Sequence, residues 1–360
     1  QVNGEWQTFP NVKAAEEASY EEYKANLRRT AENFRITDDH LGEGGPKAKF
    51  QANVEAIKLL KYLEETTEQA TPEQQKILSR YVGWGGLADA FDPDKESWSK
   101  EYAQLKELLT PEEYAAARGS TLNAYYTSPT VIKAIYEAVG RMGFETGNIL
   151  EPSCGVGNFF GMLPEEMRNS RLYGVELDSI SGRIAQQLYP KADITVAGFE
   201  TTDRRDFYDL AIGNVPFGQY QVRDKAYDKL NFSIHNYFLA KALDQVRPGG
   251  VVAFVTSRYT MDAKDSTVRR YLAQRAELLG AIRLPNDAFK KNAGAEVVSD
   301  IIFLQKRDRP LDIVPEWTQT GQTEDGFAIN RYFLDHPEMV LGRQEPESTA
   351  HGMDYTVNPI

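Results

Sequence analysis

Between residues 121 and 307, seven short apolar segments alternate with stretches patterned for helix, and few folds accommodate that rhythm. The segments are Asn148–Glu151, Leu172–Glu176, Ile194–Val196, Asp209–Ile212, Val251–Thr256, Leu279–Arg283 and Asp300–Gln305. Helical patterns lie between most of them, as at Asn158–Met167, Ser179–Leu188, His235–Val246 and Ser266–Glu277. Continuous apolar strands joined by helices predict an α/β fold, a mostly parallel sheet covered on both faces. No obvious helix separates the last two segments, which predicts one antiparallel strand among the seven. Pro248-Gly249-Gly250 reads as a tight turn feeding the fifth strand.

The flanks differ from this centre. Residues 1–120 read as a helical N-terminal region, a brace for the rest. Val54, Ile57, Leu60 and Leu63 recur at helical spacing. Thr71-Pro72-Glu73 and Thr110-Pro111-Glu112 each look like a helix start, with Thr as the cap and Pro at the first position. Residues 308–360 are acidic and read as an extension or a linker. The charge of −12 divides as −7 over 1–120, +2 over 121–307 and −7 over 308–360. The acidity is thus in the flanks, and the centre is free to face phosphates. No apolar run is long enough to span a bilayer. A single cysteine, Cys154, excludes an intrachain disulfide and a multi-cysteine zinc site. Four scattered His offer no ligand cluster, so no metal is expected.

Three constellations sit at strand ends. Ile149-Leu150-Glu151-Pro152-Ser153-Cys154-Gly155-Val156-Gly157-Asn158-Phe159 ends a strand in a carboxylate, then opens a helix through a glycine-bearing turn. Such a turn lets a ligand approach the backbone, and the helix N-terminus suits an anionic group. The third glycine of the dinucleotide fingerprint is missing, which argues against a dehydrogenase. Glu176 ends the next strand about 20 residues after the turn, where an acidic side chain meets a ribose. Asp209-Leu210-Ala211-Ile212 runs into Gly213-Asn214-Val215-Pro216-Phe217. An Asn beside a stiff backbone offers acceptors to an amino group, and an adjacent ring can stack on a base.

In this order, the set resembles the class I S-adenosylmethionine-dependent methyltransferases, specifically the amino-group DNA methyltransferases with an Asn-Pro-Pro-Tyr/Phe motif. Tyr125-Tyr126-Thr127-Ser128-Pro129 resembles the motif preceding their first strand. The resemblance covers about residues 120–307 and implies a Rossmann-like catalytic domain over 121–307. It implies that Tyr126, Thr127, Glu151, Ser153, Gly155, Gly157, Asn158, Phe159, Glu176 and Phe199 bind S-adenosylmethionine. It also implies that Asn214, Val215, Pro216 and Phe217 act on the N6 amino group of a flipped adenine, with Phe217 and Phe289 stacking on the base. Tyr81-Val82-Gly83-Trp84-Gly85-Gly86-Leu87, Asn214 to Gly218, and Gly280-Ala281-Ile282-Arg283-Leu284-Pro285-Asn286 are similar to the methylase portion of very large methylase–helicase polypeptides of bacterial mobile elements and phages. That implies a segment of a longer cytoplasmic polypeptide with helicase domains as partners, in keeping with the absent initiator Met.

Two positions depart from the family. Val215 stands where Pro is usual, and its carbonyl can still accept. Gly198 stands where an Asp reads the cofactor's adenine, a task left to Glu200 or a backbone N–H. Cys154 lacks a Pro-Cys context, which argues against a cysteine nucleophile. Arg223, Lys225, Lys229, Arg258, Lys264, Arg269 and Arg270 are the candidates for phosphate contacts. Neither acidic flank offers a groove-reading surface, so the chain alone is expected to bind DNA weakly and without sequence preference. RNA or protein amino groups as substrates, and a non-catalytic scaffold, are the alternatives.

Overall fold

The structure is a computed structural model that describes all residues except residue 3, residues 123–125, residue 219 and residues 290–296. Seven strands form one sheet: β1 (Asn148–Glu151), β2 (Arg171–Glu176), β3 (Asp193–Val196), β4 (Tyr208–Asn214), β5 (Val246–Ser257), β6 (Ala276–Arg283) and β7 (Ser299–Lys306). Their order is β3-β2-β1-β4-β5-β7-β6. All neighbours are parallel except β7, which runs antiparallel to both β5 and β6. This is the Rossmann-like, mostly parallel seven-stranded sheet that the alternation predicts. β5 starts earlier than expected and continues through Pro248-Gly249-Gly250. The ladder absorbs that turn with a register shift opposite Tyr208 and Leu210.

The helices are α1 (Val12–Thr30), α2 (Pro46–Thr66), α3 (Pro72–Leu78), α4 (Ser99–Leu108), α5 (Pro111–Gly119), α6 (Pro129–Arg141), α7 (Asn158–Gly161), α8 (Ser179–Leu188), α9 (Ile234–Gln245), α10 (Tyr259–Asp262), α11 (Thr267–Arg275) and α12 (Arg331–Asp335). Thr71 and Thr110 form capping boxes with Gln74 and Glu113, which is why α3 and α5 begin there. The pattern over Asn158–Met167 yields only the short α7 and a 3-10 turn over Glu165–Met167. Pro164 stands between them and cannot extend a helix.

Strand alternation divides the core. Val251, Ala253 and Val255 join a layer with the N-terminal helices, α6 and α8. Val252 and Phe254 join a second layer with α9, α11 and the C-terminal segment. The N-terminal region is docked through polar ties. Arg183 of α8 reaches Glu64 and Glu113, and the Gln187 side chain accepts the Ala70 N–H. Residues 308–360 fold back on the sheet and do not run as a free linker. They form the hairpins β8 (Thr320–Gln322)–β9 (Ala328–Asn330) and β10 (Arg343–Thr349)–β11 (Gly352–Asn358). The Leu341 N–H donates to the Arg283 carbonyl, and the Asn286 N–H to that of Val357. Beneath them, fully buried Arg283 pairs with Asp300 and Asp262, and Arg258 bridges Asp262 to Asp354.

Candidate active site

In an open α/β sheet, ligands bind beyond the carboxyl ends of the strands, where strand order reverses. Here the reversal lies between β1 and β4. The residues ending those strands are Glu151 and Asn214.

The turn after β1 is held by backbone and carboxylate together. The Cys154 N–H donates to the Val175 carbonyl at 3.0 Å, and the Gly157 N–H to the Cys154 carbonyl at 2.8 Å. Half-buried Glu176 accepts the Gly155 N–H on one oxygen (2.8 Å) and the Asp178 N–H on the other (2.7 Å). It therefore fastens the turn, a role its spacing did not reveal. Each of its oxygens retains acceptor capacity. Gly155 has φ +55°, and a Cβ there would meet nothing within 4 Å, so space is open above it. Gly157 (φ +86°) is needed for a different reason, because a Cβ would strike the Tyr189 ring at 2.6 Å.

Glu151 is buried, and its Oε1 has no hydrogen-bond partner among the described residues. Its aliphatic part lies against Gly213 of β4, where a Cβ would sit 3.2 Å from its Cγ. Burial, and secondarily the charge of Glu176, push its carboxyl well above the usual range. Burial likewise raises Glu176 to about 7, with the charge of Asp178 adding to it, against the lowering effect of the backbone N–H groups of Asp178, Gly155 and Leu177. Two acidic groups thus share a poorly solvated place, which favours a cationic ligand.

Across the switch point, the Asn214 side-chain amide donates to Thr127 Oγ1 at 3.1 Å. Its Oδ1 is buried with no hydrogen-bond partner among the described residues. Thr127, expected at the cofactor, thus also orients the amide. The Val215 N–H donates to the Val255 carbonyl at 3.1 Å, a tie that Pro could not make. Pro216 and Phe217 are half-buried. The loop ends at Gly218, whose N–H donates to Nδ1 of buried His235 at 3.5 Å, while Nε2 meets Ser233 Oγ at 3.1 Å. Burial lowers this imidazole to about 4, so it is neutral. His235 carries no sequence signal of this contact.

Several of the expected rings are turned into the core. Phe289 is 1% exposed and belongs to the core, so its ring presents no face to a base. The rings of Phe159 and Phe199 are also core. Phe159 packs on Tyr136, and Phe199 on Phe238 and Tyr237. Ser153 and Asn158 are half-buried on the turn, and Tyr126 is half-buried with its hydroxyl beside Asn158. A Cβ at Gly198 would fall on the Glu200 carboxylate, so that carboxylate occupies the place of a side chain at 198. Of the phosphate candidates, Arg258 is engaged with Asp262 and Asp354, and buried Arg269 donates to the Thr318 carbonyl. Arg223, Lys225, Lys229, Lys264 and Arg270 are exposed. Tyr125 lies outside the described residues.

The sequence model of the N-6 DNA methylase family matches residues 107–314, more than half of the chain. The chain belongs to that family. It is 29% identical over 272 residues to the defense against restriction protein B of Escherichia phage P1, across 74% of this chain and 10% of that protein. The chain thus spans a small part of that relative. It is 38% identical over 93 residues to the type II methyltransferase M.CvrRI of Paramecium bursaria Chlorella virus XZ-6E, across 26% of this chain and 24% of that one. Among solved structures, the M protein of the type I restriction enzyme EcoKI is similar with a TM-score of 0.40 and 15% identity, over 73% of this chain and 63% of that one. Among the described residues, no helix of this family member is long and apolar enough to cross a membrane.

Proposed function

We propose that this chain transfers a methyl group from S-adenosylmethionine to the N6 amino group of adenine in DNA, as a cytoplasmic module of a longer polypeptide. The observation that carries the reading is Asn214 at the end of β4, with its amide N–H committed to Thr127 and its buried Oδ1 unpaired. The site also fits the cofactor. Space is open above Gly155, a buried carboxyl oxygen of Glu151 has no hydrogen-bond partner among the described residues, and the acidic surroundings suit a cation. When bound, the cofactor supplies an electrophilic methyl group.

The chain's own residues supply alignment. Adenine's amino lone pair is delocalised into the ring, so the nitrogen must become pyramidal to attack. Asn214 Oδ1 and the Val215 carbonyl would accept the two amino hydrogens and favour that geometry. The Val215 N–H tie to β5 gives back part of the stiffness a second proline would provide. Half-buried Phe217 would stack on the flipped base. Glu176 would bind the ribose while holding the turn, and Glu200 would stand in for the carboxylate missing at Gly198. The exposed Arg223, Lys225 and Lys229 would follow phosphates, so the chain alone should bind duplex DNA weakly, salt-sensitively and with little sequence preference. The phage relative, of which this chain matches only a tenth, supports a longer polypeptide, and in such a polypeptide other domains, such as a helicase, would choose the site.

The test is radiolabelled methyl transfer to unmethylated DNA, RNA and protein. Label in adenine of DNA is expected. Label in RNA or protein alone would redirect the substrate, and cofactor binding without any transfer would make the chain a scaffold.

A further inference from the structure

The segment between α1 and α2 runs in extended form over the helix that opens from the cofactor turn. The Phe34 N–H donates to the Leu188 carbonyl (2.8 Å) and the Ile36 N–H to that of Gly161 (2.9 Å). The Arg35 guanidinium donates to the Leu163 carbonyl at 2.8 Å. Ile36 lies so close to Gly161 that a Cβ there would come within 2.7 Å of its side chain. Asp39 pairs with Lys133 of α6 at 2.7 Å. The segment then reaches Gly42, where φ is +85° and a Cβ would meet the Tyr126 ring at 2.8 Å. The Tyr126 hydroxyl lies beside Asn158, the first residue of α7, and its chain neighbour Thr127 holds Asn214. One strap therefore touches the residues that tie the cofactor turn to the substrate loop. It lies wholly outside the 107–314 family match.

We propose that residues 34–42 are part of the cofactor-binding machinery, and that Gly42 is a positioning residue which seats Tyr126 between the strap and Asn158. The proposal rests on the cofactor reading above. Any side chain at 42 must move the Tyr126 ring and adopt a backbone conformation that L residues rarely take. The displaced ring then moves away from Asn158. A purely structural strap would lower melting temperature without touching ligand affinity.

The test titrates S-adenosylhomocysteine into the full chain by calorimetry, for wild type, Gly42→Ala, Tyr126→Ala and the double variant, with melting curves alongside. Gly42→Ala should weaken binding at least tenfold, and the double variant should bind no worse than the weaker single variant. Gly42→Ala binding within twofold of wild type, or losses that simply multiply, would overturn the proposal. Wild type that binds nothing at millimolar ligand would instead remove the cofactor reading beneath it. Hydrogen exchange on wild type needs no variant. The Phe34 and Ile36 amides should exchange at least tenfold more slowly with ligand, while those of α1 stay unchanged. Unaltered exchange at Phe34 and Ile36 would overturn the proposal as well.

Discussion

The ends of β1 and β4 are neighbours, and each offers a buried oxygen without a hydrogen-bond partner among the described residues, yet the two are built on opposite plans. Asn214 is fixed before any ligand arrives. Thr127 holds its amide, Val255 holds the next N–H, and His235 holds the far end of the loop. Glu151 lies in a place that penalises its charge, beside a second carboxylate whose pKa is also raised. On the proposed reading, the difference separates two tasks. A group that reads a developing geometry has to be rigid, whereas a group that receives a cation can wait in an unfavourable state that the ligand relieves.

The largest effect should come from the rigid half. Asn214→Ala should lower kcat by about 10²–10³, the usual cost of removing one transition-state hydrogen-bond partner. Its cofactor affinity should stay within about twofold, because on the proposed reading the amide faces the acceptor base. Near-wild-type turnover in a tritium-transfer assay would break the assignment. On the acidic half, Glu176→Ala removes charge-assisted bonds worth about 1.5–3 kcal/mol, so cofactor affinity should fall tenfold to a hundredfold by calorimetry. Phe217→Ala should raise the KM for DNA through lost stacking of about 1–3 kcal/mol and leave cofactor affinity alone. An effect confined to cofactor affinity would place the ring in the wrong half.

The smallest expected effect is on stability against pH. Glu176 sits at about 7 in the folded protein against an ordinary 4.5. The native state therefore keeps a proton that the unfolded chain has lost, so its contribution is complete below about 4.5 and disappears as pH rises through about 7. Melting temperature should decline across that window, and Glu176→Gln should flatten part of the decline. A slope identical to wild type would show that the carboxyl is not held as described. Added cofactor should reduce the slope too, since it stabilises the charged form.

The sheet was legible because its strands are buried on both faces, so apolar runs such as Val251 to Val255 stand out against helical spacing. The ends of β1, β2 and β4 were legible for the same reason, since a carboxylate or amide closes an apolar strand. Rings were harder to place. Phe217, Phe289 and Phe199 look alike in sequence, but only Phe217 is half-buried at the site, while the other two are core. A basic residue is equally ambiguous, and Arg258 and Arg269 are committed to internal acceptors. The strap at 34–42 had no periodicity to show, because its order comes from single backbone bonds to distant carbonyls. The acidic tail looked solvated by composition, but Tyr355 and Val357 give it a buried face.

The single cysteine acquires a use from where it lies. Cys154 is 4% exposed, its Sγ would be 3.1 Å from a Cβ at Gly174, and burial with the nearby Glu151 and Glu176 pushes its thiol well up. Closed, its thiol is buried and held toward the neutral, unreactive form. Its modification should proceed mainly when the turn between β1 and α7 transiently lifts off β2, which costs less than global unfolding. The rate of labelling is therefore a built-in clock for the breathing of one loop, readable without introducing a probe, and any molecule that braces that loop should slow the clock.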